Sequence, residues 1–395
     1  MSRLFSARAG SPSRGSSGGL LSASIWTVSL VILVVLSGCG SNWQASVVAP
    51  DGSDYPVDSK VLEGLADFAE EDKGVPLERV LYGAGHRAIE RIVVVDDNGA
   101  RRDFDWAEAA EDAWWRKDGK IALNDEVFPI ARLEVEAPAL LDRANAEITD
   151  VAPTAAAALR ISVPARASGR VLDAPPAGQV LLLFLDGFGY VRYTEALDAG
   201  LIPNLAALGE PQVALTVYPP CTSVASAALL TGAQPEENGV DRRGIRKTET
   251  ETLFDAASAA GLTVAAVEGD ALAFNLRSSE MQLSGDRDGN GSTDDNVLAN
   301  ALAVLDEGMP DLFYVHFHGI DDAGHTHGPG TPEEEAAIRG VDKAVGQLFE
   351  ALPGDTLAIV FADHGMHHVQ EEGRLGNHGN LIERDMFIPI WAVGK

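Results

Sequence analysis

The sequence has few cysteines and few basic residues for its length, and both shortages exclude classes of protein. Only Cys39 and Cys221 occur in 395 residues, so a disulfide-stabilised scaffold is excluded and a packed core must stabilise the fold. The sequence has 30 lysines and arginines but 59 aspartates and glutamates, which gives a formal net charge of −29. Such a chain repels nucleic-acid backbones, so we expect no binding to nucleic-acid duplexes.

The N-terminus has the order of an export signal. A basic stretch without acidic residues precedes an apolar run from Leu20 to Leu36, which ends in Leu36-Ser37-Gly38-Cys39. A cysteine in this setting resembles the lipobox of bacterial lipoproteins, which implies removal of residues 1–38 and a lipid on Cys39. We therefore expect an exported protein, held at the cell envelope outside the cytoplasm, whose only membrane contact is that lipid. An uncleaved membrane anchor is the alternative.

Composition and periodicity divide the rest of the chain into three parts. Residues 39–60 are polar, contain proline and glycine and show no period, which is typical of a linker. Residues 61–132 combine a β-branched run, Ile92–Val95, with a tryptophan-rich helical pattern from Trp106 to Trp115, and they predict a small α+β domain. We assign residues 133–395 to a larger domain.

From Val180 onward, short continuous apolar runs alternate with helical segments such as Leu253–Ala260 and Glu333–Leu352. Runs of this kind are typical of parallel strands buried on both faces. The pattern predicts an α/β fold with a doubly wound, mostly parallel sheet. The predicted strands are Val180–Leu185, Val213–Val217, Val264–Val267, Leu312–His316, Leu357–Phe361 and Phe387–Ala392.

Three of these strands end in residues that bind metal ions. Asp186 follows the first strand, and Asp321 and His325 stand four residues apart after another, so that one helical turn faces both toward one ion. Asp322 is the alternative to Asp321. Ligands also follow the strand Leu357–Phe361: they are Asp363, His364 and, further on, His378. Carboxylate and imidazole together suit zinc or a similar divalent ion.

A hydroxyl group is the candidate nucleophile. Pro219 and Pro220 end a predicted strand, and Thr222 stands where a helix should begin, with Gly232 just past its end. A hydroxyl at a helix N-terminus feels the positive end of the helix dipole, and a divalent ion beside it would favour the alkoxide. Ser223 is the fallback.

Together these motifs resemble the alkaline phosphatase superfamily, especially its nucleotide pyrophosphatase and phosphodiesterase branch, from about Val180 to Lys395. The resemblance implies an alkaline phosphatase-like fold and two divalent ions, which we expect to be zinc. It implies that Thr222 attacks phosphorus of a small phosphate-ester substrate to give a phospho-threonine that water hydrolyses. The implied metal ligands are Asp321, His325 and His378 for one ion and Asp186, Asp363, His364 and Thr222 for the other.

The substrate stays open between diester and monoester because Ala225 stands where the pyrophosphatase branch usually has an asparagine that holds a phosphoryl oxygen. A sulfatase is disfavoured, since Cys221 lacks the CxPxR string of those relatives. The basic residues after the nucleophile helix are candidates for a phosphate contact. They are Arg242, Arg243, Arg246 and Lys247. The competing hypothesis is a lipoprotein that kept the fold but binds ligands or partners without catalysis.

The string DRDGNGSTDDN resembles the first half of a calcium loop, with Asp286, Asp288 and Asn290 as candidate ligands, but Val297 replaces its closing glutamate. We interpret it as an acidic loop before the next helix, with calcium as the alternative.

The segment Glu147–Thr154 resembles a terminal piece that relatives carry after their last metal histidine, here moved to the front. We therefore predict a circular permutation in which residues 133–172 pack on the catalytic sheet beside residues 383–394.

Overall fold

In the computed structural model, the described residues are 43–269, 273–276, 280–371 and 373–395. The predicted signal peptide and Cys39, the predicted site of the lipid, therefore lie outside them. The described residues from Trp43 to Lys395 belong to one compact unit. None of the described helices is long and apolar enough to cross a membrane.

An eight-stranded sheet forms the centre of the larger part. Its strand order is Ala146–Glu147, Gln212–Leu215, Phe387–Gly394, Thr356–Phe361, Gln179–Leu185, Leu312–Phe317, Val264–Glu268 and Glu280–Leu283. Only Phe387–Gly394 runs antiparallel to its neighbours. All side chains of Thr356–Phe361 and Leu312–Phe317 are buried, so both faces of the sheet are covered. The predicted doubly wound, mostly parallel α/β sheet is confirmed.

The helices of this part follow the strands in the expected alternation. The two predicted helices occur at Leu253–Ala259 and Pro332–Ala351. The others are Val151–Leu159, Tyr190–Asp198, Pro203–Ala206, Thr222–Thr231, Pro235–Asn238, Asp294–Glu307, Gly319–His327 and Glu383–Met386. A hairpin of His367–Glu371 and Arg374–Asn377 completes the part.

The N-terminal part contains two smaller sheets. A five-stranded sheet has the order Asp54–Asp58, Gln44–Val48, Arg132–Glu136, Arg91–Val95 and Arg101–Asp105. A four-stranded sheet has the order Val75–Pro76, Ala113–Trp115, Lys120–Leu123 and Glu126–Pro129. The helices between them are Ser59–Gly64, Leu77–Gly83 and Trp106–Ala109.

Three predictions for this part are wrong in detail. Within the predicted linker, Gln44–Val48 and Asp54–Asp58 form a hairpin, because Ala45, Val47 and Val57 are buried in the core. The tryptophan-rich stretch is helical only to Ala109, since Ala113–Trp115 is a strand. The boundary at residue 133 falls inside Arg132–Glu136, which pairs with Arg91–Val95.

Candidate metal centre

The six predicted ligands and Thr222 meet at one edge of the large sheet. Asp186 directly follows the strand Gln179–Leu185, and Asp363 and His364 follow Thr356–Phe361. The helix Gly319–His327 follows Leu312–Phe317 and carries Asp321 and His325. Because these strands are parallel neighbours, their carboxyl ends lie together.

The first predicted ligand set is assembled. One ligand atom each of Asp321, His325 and His378 lies within 4.8 Å of the others. His325 Nε2 is 3.2 Å from Asp321 Oδ2, and His378 Nε2 is 3.8 Å from Asp321 Oδ1. Asp322 is outside this set, and burial raises the pKa of its carboxyl to about 6. The structure thus favours Asp321 over Asp322 for this set.

The second predicted set lies beside the first. His364 Nε2 is 3.2 Å from Asp363 Oδ2 and 3.5 Å from Asp186 Oδ1. Thr222 Oγ1 is 3.4 Å from the same nitrogen. Asp186, His364 and Asp321 also have ligand atoms within 4.8 Å of one another, so Asp321 borders both sets.

Three carboxylate oxygens in this cluster are buried and have no hydrogen-bond partner in the described part of the chain. They are Asp186 Oδ1, Asp321 Oδ1 and Asp363 Oδ2. Burial and the neighbouring charge of Asp186 raise the pKa of Asp363 well above its ordinary value. Buried carboxylates without partners are costly, and divalent cations are the partners that their number and spacing suit. The cluster therefore fits a metal centre.

The ring of His378 is oriented for ligation. Its Nδ1 lies 2.8 Å from the Pro220 carbonyl oxygen, so a proton on Nδ1 leaves the Nε2 lone pair facing Asp321. Burial holds the pKa of His378 well below its usual range, which keeps the ring neutral. Guanidinium groups lie against the ring nitrogens: Arg243 Nη2 is 3.1 Å from His378 Nε2, and Arg374 Nη2 is 2.8 Å from His325 Nε2. Each guanidinium nitrogen is about equally far from both nitrogens of its ring, so a positive group lies next to each of these two candidate ligands.

The Oδ2 atom of Asp186 contacts residues that the sequence did not indicate as metal ligands. His316 Nε2 and His318 Nδ1 lie 3.1 and 3.3 Å from Asp186 Oδ2, and each ring has its other nitrogen within 3.0 Å of Glu268 Oε2. These contacts hold the pKa of Asp186 well below its usual range, against the effect of burial. Glu268 was missed, although it stands at the end of a predicted strand, as the predicted ligands do.

Thr222 is the first residue of the helix Thr222–Thr231, as predicted. It is half-buried and lines an open cleft of about 500 Å³, together with Arg243 and Arg246. Ser223 also borders the cleft but is buried, and its Oγ has no hydrogen-bond partner in the described part of the chain. Burial raises the pKa of the Cys221 thiol, which disfavours a thiolate nucleophile there.

The candidate calcium loop closes on itself. The carboxylate of Asp286 accepts backbone N–H bonds from Gly289, Asn290 and Gly291 at 2.8 to 3.1 Å. Its oxygens therefore face their own loop, which gives no support to calcium. The helix Asp294–Glu307 follows, and Asp294 accepts the backbone N–H groups of His318 and Gly319, at the start of the helix that carries Asp321.

Gly187 lies between two of the candidate ligands, Asp321 and Asp363. Its φ of +72° favours glycine, and a Cβ there would lie 3.0 Å from the Asp321 side chain. Its N–H donates to Asp363 Oδ1 at 3.1 Å. The glycine thus lets two carboxylates approach one backbone turn.

A mostly parallel sheet that joins carboxylates, imidazoles and a hydroxyl at its carboxyl edge defines an α/β enzyme fold with a candidate two-metal centre. The sequence pattern of the type I phosphodiesterase / nucleotide pyrophosphatase family matches residues 180–388, which include every residue of that centre. The chain belongs to this family.

Individual relatives match over short segments. The catalytic subunit of mouse (Mus musculus) GPI ethanolamine phosphate transferase 3 is 39% identical over 75 residues, which are 19% of this chain and 7% of that protein. Human (Homo sapiens) ectonucleotide pyrophosphatase/phosphodiesterase family member 7 is 33% identical over 91 residues, 22% of this chain and 19% of that protein. The matches thus span under a fifth of these relatives' own length.

Solved structures with similarity include phosphonoacetate hydrolase from Sinorhizobium meliloti 1021 in complex with phosphonoformate, with 21% identity and a TM-score of 0.40 over 52% of this chain and 59% of that one. Murine ectonucleotide pyrophosphatase / phosphodiesterase 5 has 19% identity and a TM-score of 0.39 over 49% and 59%.

Proposed function

We propose that this protein hydrolyses small phosphate esters with two divalent cations, expected to be zinc, and with Thr222 as the nucleophile. One observation carries the proposal: the Thr222 hydroxyl lies 3.4 Å from His364 Nε2, and the same nitrogen is 3.2 Å from Asp363 Oδ2 and 3.5 Å from Asp186 Oδ1. Both carboxylate oxygens are buried and have no hydrogen-bond partner in the described part of the chain. In the proposed centre, Asp321, His325 and His378 hold one cation. The other is held by Asp186, Asp363, His364 and Thr222. Bound cations would supply charge neutralisation for the phosphoryl oxygens and a lower pKa for the nearby hydroxyl.

The proposed hydrolysis has two steps. In the first, a bond forms between Thr222 Oγ1 and phosphorus as the bond to the leaving oxygen breaks, giving phospho-Thr222 and an alcohol or phosphate. In the second, water breaks the Thr222–phosphorus bond and restores the hydroxyl. The helix Thr222–Thr231 begins at the proposed nucleophile, so its positive dipole end would stabilise the developing negative charge.

Arg243 is the proposed contact for non-bridging phosphoryl oxygens. Ala225, where the pyrophosphatase branch usually has asparagine, is fully buried and has no polar group to offer. Arg243 lines the same cleft as Thr222 and reaches His378, so its guanidinium lies next to the proposed metal centre. A guanidinium can donate two parallel hydrogen bonds to phosphate oxygens. Arg246 also lines this cleft, whereas Arg242 pairs with Asp241 on the surface.

We also propose that the protein is exported and anchored outside the cytoplasm by a lipid on Cys39, as its N-terminal residues predict. Metabolic labelling with a fatty acid tests this, since Cys39→Ser must abolish the label. A Cys39→Ser protein that still carries the label would contradict the anchor.

The test of function is a panel of chromogenic phosphate monoesters, phosphate diesters and a sulfate ester, with and without added zinc. Thr222→Ala should lose turnover and keep its metal, whereas Asp363→Ala should lose metal as well, because it removes a ligand. Ser223→Ala is the matched control and should retain most activity.

Turnover of the sulfate ester alone would overturn the substrate class. Full activity in Thr222→Ala would refute the nucleophile. A wild-type protein that binds metal but turns over none of the panel would favour the non-catalytic binding protein.

A further inference from the structure

The loop after His378 is held by the N-terminal part of the chain. Leu381 is fully buried, and both its backbone polar groups bond to that part. Its N–H donates to Glu78 Oε1 at 2.8 Å, and its carbonyl accepts from the Ile89 N–H at 2.8 Å. The position of the loop therefore depends on residues about 300 positions earlier in the chain.

Glu78 joins this loop to the turn that precedes Thr222. Its second oxygen, Oε2, accepts a hydrogen bond from the Tyr218 hydroxyl at 3.0 Å. Two residues beyond Tyr218, the Pro220 carbonyl lies 2.8 Å from His378 Nδ1. The contacts form a closed ring that runs from Glu78 through Tyr218, Pro220 and His378 to Leu381 and back to Glu78.

The hydrogen bond between Glu78 and Tyr218 is buried. Glu78 is 6% exposed and Tyr218 is 4% exposed. Loss of the carboxyl group would leave the Leu381 N–H without a partner in the interior, and buried groups of this kind pull structure away from its native position or admit solvent.

A second set of polar contacts connects the same loop to the N-terminal part. His367 Nδ1 is 2.9 Å from Asp385 Oδ1, and its Nε2 is 2.9 Å from Glu111 Oε1. Asp385 Oδ2 in turn accepts the backbone N–H groups of Gly379 and Asn380. The two residues that follow His378 are thus fixed by Asp385, and Leu381 is fixed by Glu78.

We propose that Glu78 is a positioning residue, which sets the imidazole of His378 against the turn before Thr222 and so completes the metal site of Asp321, His325 and His378. This inference rests on the proposed function. The chemistry of the carboxyl group explains the choice of residue, since one oxygen accepts from each loop. The N-terminal part accordingly stabilises the position of His378 in the metal centre through Glu78.

The experiment measures zinc affinity of the full chain by chelator competition, together with metal content and melting temperature. Glu78→Gln keeps an acceptor for Leu381, and its amide N–H can donate to the Tyr218 oxygen in place of the bond that Tyr218 donates to Glu78, so its zinc affinity should stay within about threefold of wild type. Glu78→Leu removes both bonds and should weaken one of the two zinc equivalents by about 10- to 100-fold, the range for a lost partner behind a ligand. Tyr218→Phe, which removes a single hydroxyl, should weaken the same equivalent by a smaller factor and serves if Glu78→Leu does not fold.

Leu133→Ala is the matched control for general loosening. Leu133 is fully buried in the strand Arg132–Glu136, away from the ring of contacts. It should lower the melting temperature and leave both zinc affinities unchanged. Unchanged zinc affinity in Glu78→Leu would overturn the proposal that Glu78 positions His378. If only Tyr218→Phe folds, unchanged zinc affinity in that variant would overturn it. Equal losses in Leu133→Ala also overturn it. Failure of the proposed function is a separate result: wild type binds zinc but hydrolyses no ester.

Discussion

Glu78→Gln gives a pH-dependent change in stability whose size and sign follow from burial. Burial raises the pKa of Glu78 to about 8, from an ordinary value of 4.5, and the nearby charge of Asp385 acts in the same direction. The hydrogen bonds from Leu381 and Tyr218 favour the ionised form but only partly offset burial. In the folded protein the side chain is therefore protonated at neutral pH, while in the unfolded chain it is ionised.

The sign follows from proton binding. Between about pH 4.5 and 8 the folded state holds a proton that the unfolded state has lost, so stability falls as the pH rises. Each pH unit in this window changes the free energy of unfolding by about 1.4 kcal/mol, which sums to about 5 kcal/mol over the window. The stability that this proton contributes is present in full below the unfolded pKa of 4.5. It decreases as the pH rises toward the folded pKa of about 8 and is absent above that pH.

Glutamine does not titrate, so the assay compares the two proteins at each pH. Urea unfolding of both, after metal removal, gives the free energy of unfolding at pH 5, 6, 7 and 8. Relative to Glu78→Gln, wild type should lose stability steadily across this range. Groups such as His367 are common to both proteins, and their titration largely cancels in the difference. A difference that is flat with pH, or one that rises, would refute a buried, protonated Glu78.

Two further predictions concern the site itself. Arg243→Ala should lower kcat/KM by about 10- to 100-fold, the value of a hydrogen bond to a charged group, with Arg243→Lys partly restoring it; Arg242→Ala is the exposed control, and an equal loss there would contradict a specific phosphate contact. Chelation of divalent ions should lower the melting temperature and zinc should restore it, because Asp186, Asp321 and Asp363 then keep buried oxygens that have no hydrogen-bond partner among the described residues. A melting temperature that neither chelator nor zinc changes would argue against a metal centre.

The strands that the sequence predicted well are those whose side chains are buried on both faces. Leu312–Phe317 reads as a continuous apolar run because helices cover both sides of the sheet. The edge strands Ala146–Glu147 and Glu280–Leu283 were missed, since short edge strands leave no such run. The hairpin of Gln44–Val48 was missed because its turn residues look like a linker.

The candidate ligands could be predicted because each follows a strand or sits one helical turn from another ligand. Position in the sheet then brings Asp186 and Asp363 together, as parallel strands require. Glu78 could not be predicted in this way. Its partners Tyr218 and Leu381 are 140 and 303 residues away. No local sequence pattern indicates a buried glutamate whose role depends on hydrogen bonds to distant loops.

Residues 133–172, which we predicted to pack on the catalytic sheet beside residues 383–394, divide between the two parts of the molecule. The strand Arg132–Glu136 belongs to the N-terminal sheet, so the prediction is wrong there. Further along, Ala146–Glu147 joins the large sheet by pairing with Gln212–Leu215. It does not lie directly beside Phe387–Gly394, because Gln212–Leu215 stands between these two strands and pairs with both. Strand pairing depends on these edges and not on the order of the segments along the chain. The first and last strands of the large sheet are therefore separated by a single strand, and this proximity is what a circular permutation requires.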